Sequence, residues 1–299
     1  MSLASTGESE TDGSHWLRRT HEAILFGHDI LGSNLCICAA ASSHEGCGKN
    51  AVTTLVALID RACYSRFQGN WDDQLLRERI LGHLRPDATM LDLGAEAGIV
   101  RQMNFRGMVA SVCGVDLDHR VVNNLMLDEG RIADADVIPY EDDRFDIVFS
   151  DNVLEHLEHP LGVFREVERV LKPGGVFLFK TPNKWHYMPT VARLTPHAFH
   201  RYVNRLRGRA EENTFPTRYQ ANSLGTVARL AANAGLVVER VDRVEGRPEY
   251  LRMTWPTYVV GLAYERLVNS SEIFAPLRIL LIGSLRKPMT LGNDLSSEA

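Results

Sequence analysis

Leu91 to Val100 reads LDLGAEAGIV, an apolar run that breaks into a turn of small residues. With Thr89 and Met90 ahead of it, the run has the length and character of a buried strand. The turn supplies Gly94 and Gly98, which let another group approach bare backbone. Beyond it the pattern restarts as a helix, whose first N–H groups would be free for an anion. Turns of this kind usually carry glycine in the middle, yet position 96 is Glu96. The dinucleotide-binding fingerprint wants glycines at 94, 96 and about 99, and the chain has Gly94, Glu96 and Ile99. Taken alone, the turn fits a ligand loop and a tightly packed corner equally well.

Working outward, WDDQLLRERILGHL from Trp71 places Leu75, Leu76, Ile80 and Leu84 on one helical face. VASVCGVDLD reads as a second strand and FDIVFSD as a third. The helix pattern PLGVFREVERVL follows, closed by a KPGG turn, and GVFLFKTPN is a fourth strand stopped by Pro182. Then come a helix in SLGTVARLAANAG, a strand in LVVERVDRV, a helix near TYVVGLAYERLVN and a last apolar strand, LRILLIGSL. Strands alternating with helices over this length imply an α/β fold, a mostly parallel, doubly wound sheet with helices on both faces.

Such sheets bind ligands beyond the carboxyl ends of their strands, near the point where strand order reverses. The second strand ends in GVDLD, which sets Asp116 24 positions after Asp92. A carboxylate there can accept both hydroxyls of a ribose. The bland alternatives are that Asp92 enters a helix, Asp134 sits in an ordinary turn, and Asp151 caps a helix beginning near Asn152.

Four blocks, LDLGAEAG, GVDLD, ADADVIPY with FDIVFSDNVLEHL, and LKPGGVFLFKTPN, occur in this order. In order and spacing they resemble the class I S-adenosylmethionine-dependent methyltransferases, of the group called methyltransferase type 11. The resemblance covers roughly residue 64 to the C-terminus and implies a Rossmann-like, seven-stranded sheet with a small helical lid insertion. It also implies S-adenosylmethionine as cofactor and a small-molecule or lipid-like methyl acceptor. Carried over by position, Gly94 and Gly98, with Ala95 and Glu96 between them, would frame the methionine moiety. Asp92 would orient its ammonium, Asp116 would hold the ribose and Leu117 would pack on the adenine. Asp134 and the Ala135 N–H would meet the adenine edge, and Asp151 would lie beside the reacting methyl. A cofactor-binding but catalytically silent domain with a regulatory role is the alternative, which Glu96 keeps open.

His156 in LEHL and the cluster Trp185, His186, Tyr187 follow strand exits on the ligand side. Either histidine could take a proton from an acceptor, and either could instead simply pack or cap. Tyr64, Phe67 and Trp71 would close the site from the N-terminal side. Residues 184–218 are read as the lid, whose stretch Lys184 to Ala210 has six Lys or Arg and no Asp or Glu. It is read as a solvated basic face or, with Arg201, as a cover for an anionic or lipid-linked acceptor.

The bulk composition sets limits. A chain of 299 residues, 44% hydrophobic and 24% charged, can build one large domain with extensions. A net charge of -5 argues against a general nucleic-acid binder. Five irregularly spaced cysteines do not suggest a disulfide framework, so a cytoplasmic protein is expected. No apolar run reaches the length of a membrane span, and no stable insertion is expected. Residues 1–60 are read as a partly disordered extension before a domain at 61–299. Within it, ASSHEGCGKNAVTT lacks the glycine and hydroxyl positions of a phosphate loop, and the nearby cysteines match no zinc spacing, so no metal is expected. The oligomeric state is not legible.

Overall fold

The computed structural model describes residues 47–65, 67, 69–194, 216–252 and 254–289. From Gly48 onward these belong to one compact unit, Gly48–Ala299. Seven strands form one sheet: β1 (Thr89–Leu93), β2 (Ser111–Asp116), β3 (Glu129–Ile132), β4 (Phe145–Asp151), β5 (Leu171–Pro182), β6 (Val237–Val244) and β7 (Leu280–Arg286). Their order is β3-β2-β1-β4-β5-β7-β6, with β7 antiparallel to both neighbours and the pairs from β3 to β5 parallel. The order reverses at β1, so the crevice between the exits of β1 and β4 is the place where a ligand is expected.

The helices are α1 (Cys47–Cys63), α2 (Trp71–Leu81), α3 (Pro160–Val170), α4 (Tyr187–Leu194), α5 (Leu224–Ala234) and α6 (Trp255–Asn269). Strand alternation divides the core in two. Leu91, Leu93, Val115, Val148, Phe177 and Phe179 face α3 and α5, which contribute Phe164, Val167, Val227 and Ala231. Met90, Val112, Ile147, Phe149, Val176 and Leu178 face the other way, under Trp71, Leu76 and Ile80 of α2. Caps agree with the local sequence. Ser223 caps α5, Gly235 closes it with φ +85°, and Thr254 forms a capping box with Thr257 on α6.

Three elements differ from the sequence reading. No α-helix follows β1; the chain makes only a 3-10 turn at Arg101–Met103. The buried residues there, Met103, Phe105 and Val109, do not recur at helical spacing. Arg77 of α2 donates instead to the Asn104 carbonyl at 3.0 Å, replacing part of the missing helical bonding. The short strand β3, EGRI, was not legible because its half-buried, mostly polar residues carry no strand signal. KPGG does not end the preceding helix as a free turn but lies within β5, as an irregularity at which the register with β4 shifts. Helix α1 spans residue 60, and Asp60 is paired with Arg252 and with the Tyr258 hydroxyl of α6.

Candidate functional site

The carboxyl ends of β1, β2, β4 and β5 deliver four charged side chains to one face of the sheet. Asp92 shares the parity of Met90, Asp116 that of Val112, Asp151 that of Phe149, and Lys180 that of Leu178. All four therefore emerge on the α2 side.

Between β1 and β2 the chain builds its turn around Asp116. One oxygen of this carboxylate accepts the Glu96 N–H at 2.9 Å, and the other accepts the Asp118 N–H at 2.7 Å. Gly94 has φ +87° and Gly98 has φ +68°, both in the left-handed region. A side chain at 94 would strike Val153, and one at 98 would strike Asn124, whose amide donates to the Ala95 carbonyl at 2.9 Å. Ala95 itself is buried. Glu96 lies between the glycines with φ +43°, a conformation that costs a side-chain-bearing residue about 1–2 kcal/mol. Its half-buried carboxyl is pushed up by burial and by Asp116, against the pull of Arg120.

Asp92 is buried, and its carboxyl is held well above the usual range, first by burial and then by Asp151, Asp116 and Glu96. Carboxylates crowded this way favour a cation placed among them. Asp151 stands at the end of β4, just before Asn152, whose φ of +57° turns the chain. No helix begins at Asn152, so Asp151 caps none; the next helix starts at Pro160. Burial pushes the Asp151 carboxyl up to about 6, and Lys180, 2.9 Å from its Oδ1, works against that shift. The adenine-side candidates are open to solvent. Leu117 is 60% exposed, Asp134 is exposed and accepts the Asp136 N–H at 3.4 Å, and Ala135 packs partly on the core.

The candidate acceptor-side residues divide. Tyr64 is enclosed, donating to Glu265 at 3.2 Å and stacked on Tyr258. Trp71 is buried against Phe67 and the bare Cα of Gly246. His186 is 1% exposed; its Nδ1 accepts the Met188 N–H at 3.2 Å, and Nε2 lies 3.7 Å from Glu245. Burial pushes the His186 imidazole down to about 3 and the Glu245 carboxyl up to about 8, disfavouring a charge on either. Tyr187 packs between His186 and Tyr264, while Trp185 stays 60% exposed. His156 is half-buried in the loop after β4, its Nδ1 3.2 Å from the Pro216 carbonyl. Arg201 and most of the expected lid lie outside the described residues.

Four groups at the site escaped the sequence reading. Lys180 ends the apolar run of β5 at an inward position, and Asp72 and Asp73 follow Trp71 at the start of α2; all three meet in one cluster, with Lys180 and Asp73 buried and Asp72 at its partly exposed edge. Glu155 is buried beneath the same exits, accepting from Thr181 at 3.0 Å, with its carboxyl pushed by burial to about 7. A charge at the core-facing parity of a strand was the available signal for Lys180.

Residues 66–241 match a family model described as a methyltransferase domain. The ubiquinone biosynthesis O-methyltransferase of Pseudomonas syringae pv. tomato is 30% identical over 125 residues, 38% of this chain and 50% of that protein. Phosphoethanolamine N-methyltransferase 2 of Caenorhabditis elegans is also 30% identical over 125 residues, 39% of this chain and 29% of that protein. The chain thus spans half or less of the length of these relatives. Among solved structures, a geranyl diphosphate C-methyltransferase from Streptomyces coelicolor, with Mg2+, geranyl diphosphate and S-adenosyl-L-homocysteine, aligns with a TM-score of 0.47. It shares 17% identity and covers 72% of this chain and 79% of that one. Among the described residues no helix is long and apolar enough to cross a membrane. With the family model matched over more than half its length, the chain belongs to the class I S-adenosylmethionine-dependent methyltransferases.

Proposed function

We propose that this protein transfers a methyl group from S-adenosylmethionine to a small-molecule or lipid-like acceptor. The observation that carries the reading is the convergence of Asp92, Asp116 and Asp151 on one face, around the Gly94–Gly98 turn. S-adenosylmethionine supplies a methyl group already activated on a sulfonium, so alignment does most of the catalytic work. Its two positive centres suit a site where buried carboxylates otherwise repel one another. Asp92 is assigned to the ammonium, Asp151 to the methionine moiety and Asp116 to the ribose, using oxygen lone pairs beyond those that hold the turn. Exposed Leu117 offers an apolar face for the adenine, with Asp134 and the Ala135 N–H at its edge.

The acceptor is placed on the side of Trp185 and α4, within the expected lid 184–218. Support for a small or lipid-like molecule comes from the relatives' names, one in ubiquinone biosynthesis and one acting on phosphoethanolamine. Of the two histidines, His156 is the better candidate to receive the acceptor's proton, because His186 is enclosed and burial makes it a weak base. Unpaired Cys63 and Cys113 suit the reducing cytoplasm. A silent, cofactor-binding domain is the second reading, favoured by the left-handed backbone of Glu96.

Calorimetric titration with S-adenosylmethionine, S-adenosylhomocysteine and NAD tests the first step. Micromolar binding of the two adenosyl ligands is expected, and binding of NAD alone would overturn it. A panel of phenols, amines and prenylated acceptors then tests transfer; strong binding without any transfer would favour the silent domain.

A further inference from the structure

Lys180 is fully buried, and its ammonium meets three carboxylates: Asp151 at 2.9 Å, Asp72 at 2.9 Å and Asp73 in close contact. A lone cation would repel a sulfonium. Three carboxylates around it reverse the sign and leave formal negative charge to spare. Burying an ammonium among carboxylates is costly, and a well-packed apolar side chain joins elements at lower cost. Leu178, two residues earlier on the same face, does so under Trp71 and Ile80. Fastening α2 to the sheet therefore does not account for a lysine.

What an apolar side chain cannot do is keep Asp151 anionic. The groups facing Asp151 are Lys180 from β5, Asp72 and Asp73 from α2 and Asp92 from β1, with Glu155 farther along its own loop. Lys180 is the cation in this set, and every other member disfavours a second negative charge.

We propose that Lys180 is a positioning residue of the cofactor site: it holds Asp151 charged and in place, and ties the N-terminus of α2 to the same carboxylate. This rests on the reading that Asp151 lies beside the cofactor's methionine moiety. Seating of α2 and affinity for a cationic cofactor are then linked through one ammonium. Removing the cation raises the pH at which Asp151 ionises, so the damage is largest at low pH and fades at high pH.

The test compares S-adenosylmethionine affinity in wild type, Lys180→Met, Lys180→Arg, Asp73→Asn and Asp151→Asn between pH 6 and 9, with melting curves at each pH. Taking ratios to wild type cancels the ligand's own titration. Lys180→Met is expected to weaken binding at least tenfold at pH 6.5 and less than threefold at pH 9, while Lys180→Arg stays within threefold throughout. Asp73→Asn, which spares the cation, should tighten binding at pH 6.5 relative to pH 9 and keeps the idea testable if Lys180→Met does not fold. A loss independent of pH, or no loss, would reduce Lys180 to a structural clamp and overturn the proposal. Unchanged affinity in Asp151→Asn at every pH would overturn the placement of Asp151 instead, whatever the lysine variants do.

Discussion

The Asp116 carboxylate accepts the backbone N–H of Glu96 at 2.9 Å, so the exit of β2 holds the turn that leaves β1. Two strand exits are thereby locked into one surface before any ligand arrives. Burial and the nearby Asp116 carboxylate together push the half-buried Glu96 carboxyl up.

Glu96→Gly should stabilise the fold and tighten S-adenosylmethionine several-fold. The Asp116 bond uses the backbone N–H and survives the change, while glycine accepts φ +43° without the cost of about 1–2 kcal/mol. Calorimetry and a melting curve check both halves. A fall in affinity would make Glu96 a ligand-holding residue.

Gly98→Ala should do the opposite. A Cβ at φ +68° would meet Asn124 Oδ1 at 2.1 Å and displace the side chain that bonds to the Ala95 carbonyl. A loss of about 1–3 kcal/mol in stability is expected, as for strained backbone elsewhere, with cofactor binding weakened in parallel. Denaturant unfolding of the two proteins reads the first number.

Asp116→Asn leaves one good acceptor for two backbone donors and removes a charge from the ribose position. Hydrogen bonds to charged groups contribute about 1.5–3 kcal/mol. Cofactor affinity should fall at least about tenfold, which corresponds to about 1.4 kcal/mol. Unchanged affinity would confine Asp116 to holding the turn.

The pH dependence of stability has a definite sign at Glu245. Its carboxyl ionises at about 8 in the fold, above its ordinary range, so the folded state retains a proton that the unfolded chain has lost. Its contribution is fully present below pH 4 and is lost as pH rises through about 8. His186, with its imidazole pushed down to about 3, acts the other way, its contribution being lost as pH falls from 6.5 toward 3. Glu245→Gln should therefore raise the melting temperature more at pH 8.5 than at pH 5, by about 2–4 °C per kcal/mol of coupling. Melting curves at the two pH values decide it, and an equal shift at both would show that burial does not hold the proton on Glu245.

The amino-acid sequence by itself determined the alternation of strands and helices, the turn at Gly94–Gly98, and the carboxylates at the exits of β1, β2 and β4. These are properties of single elements: hydrophobic runs, glycines at corners, and a charge where an apolar run ends. Polar β3 carries no such run, and the missing helix after β1 could not be foreseen because Arg77 supplies part of the bonding there from another element. Only the tertiary structure decided that His186 and Tyr64 are enclosed, and that Lys180 gathers Asp72, Asp73 and Asp151. Burial and charge pairing arise between residues as far as 201 positions apart in sequence. Such pairs acquire meaning only when packing removes water and brings them within a few ångströms.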